Sequence, residues 1–240
     1  MNYNNYEMEN VLRNGSMAVS EAFPVLMRKV YVWMTLALVV TGLTAYGVAT
    51  SPGMVNLILT NSMLFWGLII AEFALVIGLN AAINKLSLPM ATLMFLTYSV
   101  VNGATLSVIF LAYTVTSIAS VFFITAGTFA VMALIGYTTK TDLTSLGKML
   151  FFALIGIIIA TLVNVFFIKS TGVDLIISCI GVLVFVGLTA HDAQKIKQML
   201  MAAPDAGSGM QKLALLGALS LYLDFINLFL YLLRLFGKRE

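Results

Sequence analysis

Charge is what this chain has least of. Asp, Glu, Lys and Arg together make up 10% of its 240 residues, against 61% hydrophobic residues, whereas a soluble domain is roughly a quarter charged and about half apolar. That balance excludes an ordinary soluble protein and points to a polytopic membrane protein. The net charge of +3 lies mostly outside the apolar runs, which reads as membrane-flanking charge and leaves no basic patch for nucleic acid. The single cysteine, Cys179, excludes an internal disulfide or a cysteine metal cluster, and its place in an apolar run predicts core packing. No Pro-, Gly- or Ser-rich stretch is long enough to separate two domains, so one is expected. Residues 1–29 are polar and hold Glu7, Glu9 and Glu21, too long and too acidic a lead for a secretory signal. The first apolar run is therefore expected to remain as a membrane helix, preceded by a polar cytoplasmic segment.

A membrane span needs about 20 predominantly apolar residues, and seven runs qualify: Val30 to Ala49, Ser62 to Asn80, Leu88 to Tyr113, Ile118 to Thr138, Leu146 to Ile168, Val173 to Ala190 and Leu213 to Phe236. The expected fold is an all-α bundle over residues 30–236 with a short basic tail, 237–240. Ser51-Pro52-Gly53 marks a turn, and Ser87 before Leu88-Pro89 marks a helix start. Thr114 to Ser117 is the tightest link, and His191 to Lys212 the longest loop, expected to be mobile around Pro204 to Gly209. If the N-terminus is cytoplasmic, nine basic residues (Arg13, Arg28, Lys29, Lys85, Lys140, Lys148, Lys195, Lys197, Lys212) share that side against four (Lys169, Arg234, Lys238, Arg239) on the other. That asymmetry favours N-in, although seven spans then leave the basic tail outside, against the rule. The bacterial inner membrane is the expected location.

Thr41, Gly103, Ser107, Gly156 and Asn164 are small or polar residues of the kind that pack or bond membrane helices. Four acids within or beside the runs demand more. Asp174 follows Lys169 and Gly172 at the start of the sixth run and reads as a helix-start acid. Glu72 lies in the middle of the second run, and both a pore role and a bond to a neighbouring helix through Asn102 are open to it. Asp192 closes the sixth run in the string LTAHDAQKIK, and Asp224 interrupts the seventh. An acid at mid-membrane costs about 2.5 to 3.5 kcal/mol even on lenient scales, so it marks a candidate functional site. Read as a helix, the seventh run places Gly217, Ser220, Asp224, Asn227, Tyr231 and Arg234 on one stripe, which is expected to face the bundle interior.

A helical rise puts Asp224 about 16 Å into its run, on the same side of the midplane as Asp192, and a continuation of the sixth helix or a tilt brings the two carboxylates together. Repulsion and desolvation then favour protonating one of them, which makes the pair a pH-sensitive latch. Deprotonated, the same oxygens suit Ca²⁺. The alternative pairs the two acids with Lys195 and Arg234, Arg234 being the counter-ion for Asp224. His191, the only histidine, is expected to point some 100° away from Asp192 and to modulate the latch at most.

The seven-run layout, the HDAQKI string and LYLDFINLFLYLLRLFG resemble the Bax inhibitor-1 family, also called the transmembrane Bax inhibitor motif family, over about Phe23 to Gly237. The resemblance implies six helices surrounding a central seventh, an aspartate pair joining the last two helices at Asp192 and Asp224, and an acid of the second helix at Glu72. It also implies a pH-sensitive calcium leak, suppression of cell death in eukaryotes and, for some bacterial relatives, a link to a membrane-bound protease. The family often has tyrosine where His191 stands here.

No enzyme is expected. Two aspartates on neighbouring helices invite an intramembrane aspartyl protease, but the Gly-x-Gly-Asp and Pro-Ala-Leu strings of such enzymes are absent, Asp224 following Leu221-Tyr222-Leu223. A retinal protein is excluded because no lysine lies between Leu213 and Phe236. A proton-coupled carrier and a non-conducting regulator that binds other membrane proteins stay open. The expected partners are the lipid bilayer, protons and calcium ions as the transported species, with no cofactor.

Overall fold

The computed structural model describes residues 3–202 and 205–239, with side chains from residue 22 onward; Pro204 and the side chains of Glu7, Glu9, Arg13 and Glu21 lie outside it. Within the described residues every regular element is helical: α1 (Tyr3–Ala49), α2 (Pro52–Thr60), α3 (Ser62–Ala82), α4 (Leu88–Leu106), α5 (Ile109–Ala112), α6 (Val115–Thr138), α7 (Thr144–Val163, ending in a π turn, Asn164–Ile168), α8 (Thr171–Met201) and α9 (Ser208–Phe236). Seven segments are long and apolar enough to cross a membrane: Ala22–Ala49, Ser62–Ala82, Leu88–Ala112, Val115–Thr138, Thr144–Ile168, Thr171–Met201 and Ser208–Phe236. The chain is a multi-pass integral membrane protein.

The helix starts follow from local chemistry. Each first turn leaves backbone N–H groups without intrahelical acceptors, and a Ser or Thr oxygen satisfies one of them. Ser87 Oγ accepts from Met90 N at 3.4 Å, Thr114 Oγ1 from Ser117 N at 3.3 Å and Ser170 Oγ from Val173 N at 3.4 Å. The cap at Thr114 starts α6 three residues before the expected Ile118. The first helix also continues N-terminal to Val30: Ala22, Leu26 and Val30 recur at a four-residue spacing on one buried face, which carries α1 across the charges at Arg28 and Lys29.

The expected loop from His191 to Lys212 is mostly helix. Ala193, Ile196 and Leu200 repeat at helical spacing and are buried, so α8 continues eleven residues past Ala190 with Lys195 turned outward, and only residues 202–207 separate it from α9. The apolar period is diluted by Gln194, Lys195, Lys197 and Gln198, which is why hydropathy alone ends the run too soon.

The last helix is the centre of the bundle, as the resemblance implies. In α9 67% of the most apolar window is buried, against 39% or less in each other span. Helices α8, α1, α6 and α4 pack directly on it, while α3 packs chiefly on α4 and α7 on α8. Phe225 joins α9 to α6 through Phe122 and Phe129, with ring centroids 5.3 and 5.5 Å apart. At Gly136 the backbone of α6 lies so close to the backbone of Ala190 on α8 that any side chain there would overlap it, the small-residue approach by which membrane helices gain contact without a hydrophobic drive. Cys179 faces outward from α8 and is exposed, a correction to the core position expected from its apolar neighbours. In a membrane protein the lipid-facing surface is as apolar as the core, so hydropathy does not separate the two.

Candidate functional site

The polar stripe of α9 is the seam along which it meets α8. A Cβ on Gly217 would meet the Ile196 side chain, and the Tyr231 ring rests against Gly181 and stacks on Phe185 with centroids 5.8 Å apart. Arg234 Nη1 lies 3.6 Å from Asp174 Oδ1 and its guanidinium sits 5.5 Å from the Tyr231 ring centroid. Arg234 therefore pairs with the helix-start acid of α8 and does not neutralise Asp224, since its place near the end of α9 puts it ten residues beyond that carboxylate. Of the other stripe residues, Asn227 Nδ2 donates to Leu223 O at 2.8 Å within its own helix, and Ser220 is half-buried.

Midway along this seam sits Asp224, 5% exposed. Its Oδ2 is fully enclosed and has no hydrogen-bond partner. The charge that acts on it is the carboxylate of Asp192, across the α8–α9 interface. The continuation of α8 to Met201 places Asp192 inside that helix and not at its end. An enclosed carboxylate oxygen with no donor is uncommon, since the low dielectric that strengthens a satisfied polar group makes an unsatisfied one expensive.

His191 is placed differently from expectation. Its Nδ1 lies 2.8 Å from Asp192 Oδ1, so the two adjacent side chains converge despite the 100° between them on the helix. The cause is on α7, where Gly147 has no side chain: a Cβ there would overlap the Cδ2–Nε2–Cε1 edge of the imidazole. The ring occupies the space that glycine leaves and is turned back toward Asp192. Lys195 is exposed and pairs with neither acid. Below the histidine, Gln194 Oε1 accepts from Leu143 N and its Nε2 donates to Thr141 O, both at 2.8 Å, while Lys197 Nζ donates to Tyr137 O at 2.7 Å and lies 4.9 Å from the Tyr137 ring centroid. The α6–α7 connection is thus clamped onto α8 one turn from the acid pair.

On the opposite side of α9 a buried polar chain joins four helices. Glu72 Oε2 on α3 accepts from Asn102 Nδ2 on α4 at 3.3 Å, and Asn102 Oδ1 accepts from the Tyr222 hydroxyl on α9 at 2.9 Å. That hydroxyl lies 2.7 Å from Thr41 Oγ1 on α1, which donates to Ser99 O on α4 at 3.0 Å. The expected bond between Glu72 and Asn102 is present, and Glu72 Oε1 has no partner. Tyr222 and Ser99 were not expected as site residues. No sequence pattern marks them, because the chain links positions up to 181 residues apart.

Residues 24–240 match the family described as "Inhibitor of apoptosis-promoting Bax1". The chain belongs to the Bax inhibitor-1 family. It is 53% identical over 216 residues to the inner membrane protein YbhL of Escherichia coli strain K12, covering 89% of this chain and 92% of that one. A protein of Borreliella burgdorferi is 46% identical over 212 residues, covering 88% and 91%, and protein RP147 of Rickettsia prowazekii 42% identical over 216 residues, covering 89% of each. The Bax inhibitor-1 match covers all seven spans and both aspartates of the α8–α9 seam. Among the described residues no group of three His, Cys, Asp or Glu side chains gathers as a metal site.

Proposed function

We propose that this Bax inhibitor-1 protein is a pH-sensitive calcium leak pathway, a channel or transporter, gated by protonation of the Asp192–Asp224 pair. One observation carries the reading: an enclosed carboxylate oxygen of Asp224 has no hydrogen-bond donor, and the charge that acts on this carboxylate is that of Asp192 on α8. Two neighbouring acids, one of them enclosed, relieve their repulsion in one of two ways, by taking a proton or by taking a cation. Protons and Ca²⁺ then compete for the same oxygens. Two carboxylates hold Ca²⁺ only partially, which suits an ion in passage. Glu72, with its own unpartnered oxygen, extends the path on the other side of α9, and His191 tunes Asp192 through their contact.

Purified protein in liposomes loaded with a Ca²⁺ dye, assayed across neutral and acidic pH, tests this. Flux is expected to vary with pH in the native chain and to lose that variation in Asp192→Asn and Asp224→Asn. If no flux occurs, or if both variants keep the native pH profile, the gate is wrong, and a non-conducting regulator of other membrane proteins, such as a membrane-bound protease, becomes the better reading.

A further inference from the structure

Between the start of α7 and the second half of α8, bordered by the His191 that contacts Asp192, lies a groove of ≈ 530 Å³. Its chemistry changes along its length. The end nearest the α6–α7 and α8–α9 connections is lined by Lys148 and Lys195, both exposed, together with Gln194 and the Nε2 edge of His191. The deeper end is walled by Phe151 and Phe152, which stand exposed on the outer face of the bundle and so lie against hydrocarbon in a bilayer. Eight residues of α7 separate Thr144 at the mouth from Phe152, a rise of about 12 Å. A cationic mouth at the depth of the headgroups, opening downward onto aromatic walls, matches an anionic amphiphile in both charge and polarity.

We infer that this groove binds one anionic phospholipid of the surrounding leaflet, its phosphate between Lys148 and Lys195 and the start of an acyl chain against Phe151 and Phe152. The two acids nearby do not block the mouth. Asp142 accepts from Thr144 N at 2.9 Å and from Thr144 Oγ1 at 2.6 Å, and Asp192 is engaged by His191 Nδ1. The lysines remain free for a ligand: the hydrogen bonds of the neighbouring clamp come from Gln194 and Lys197 instead. Juxtamembrane lysines and arginines attract anionic lipid in this manner.

Native mass spectrometry of the full chain released from nanodiscs of mixed phosphatidylcholine and phosphatidylglycerol reads the bound lipid directly. The native protein is expected to retain phosphatidylglycerol in preference to phosphatidylcholine. Lys148→Gln and Lys195→Gln each weaken that preference about fivefold, whereas Lys85→Gln, an exposed lysine on the α3–α4 connection, leaves it unchanged. Both substituted lysines project from the surface, so folding is preserved, and a circular dichroism spectrum checks it. Equal retention of the two lipids, an equal loss in Lys85→Gln, or displacement of phosphatidylglycerol by millimolar inorganic phosphate would each overturn the assignment, the last by making a soluble anion the occupant.

Discussion

Among the described residues Tyr222 is the largest fully buried side chain, and its hydroxyl is the only point at which α1, α4 and α9 share a polar contact. Its ring packs edge-on against Phe95 and Tyr98, with centroids 5.9 and 5.7 Å away. Tyr222→Phe keeps those ring contacts and removes the hydroxyl, leaving Asn102 Oδ1 and Thr41 Oγ1 each short of a partner. Interhelical hydrogen bonds in membranes average about 0.6 kcal/mol and reach about 1.7; with the bond to Asn102 lost and the contact to Thr41 removed, the variant is expected to be about 1 kcal/mol less stable. A denaturation titration in mixed micelles measures the difference. At this scale the sequence marks Asp224 and Glu72 as anomalous because a carboxylate is expensive in any apolar run. It gives no sign of Tyr222, since a tyrosine in such a run is unremarkable until its partners are known.

Among the elements, the α6–α7 connection shows how a short link is held. Thr144 follows Asp142 closely enough for one carboxylate to accept from both its hydroxyl and its backbone N–H. The hydroxyl and then the backbone hydrogen bond hold the Asp142 carboxyl below the usual aspartate range, with smaller help from His191 and Lys148. A carboxyl lowered on folding adds stability that is present above its unfolded value and lost as pH falls through its folded value. Asp142→Ala is therefore expected to lower the thermal midpoint in detergent slightly at neutral pH, and the two proteins to converge in acid. A gap that persists in acid would show that the contact does not depend on the charge. Helix extents are partly legible at this scale. Ser87 and Pro89 place the start of α4 at the expected residue, whereas α8 outruns its apolar stretch because Ala193, Ile196 and Leu200 supply a buried face that charged neighbours conceal.

For the whole molecule, seven spans put the α3–α4, α6–α7 and α8–α9 connections at one end of the bundle and the basic tail at the other. The tail is tied down there: Thr114 N donates to Lys238 O at 3.1 Å and Lys238 N donates to Ser117 Oγ at 2.9 Å. With the N-terminus cytoplasmic, a membrane-impermeant maleimide applied to intact cells is expected to label Thr116→Cys and to spare Asp205→Cys, both at exposed positions and both in a Cys179→Ala background. The reverse pattern would invert the orientation and place the basic connections outside.

The sequence by itself determined the membrane class, the number of spans and the presence of an acid that does not belong in one of them, because hydropathy and run length are local properties measured against a bilayer of fixed thickness. Only the tertiary structure decided how that acid is accompanied. The register of α8 against α9 sets Asp192 beside Asp224 and sends Arg234 to Asp174, and the missing side chain at Gly147 turns His191 onto Asp192. These pairings depend on the distance and phase of helices packed side by side, which no run of residues in a single helix records.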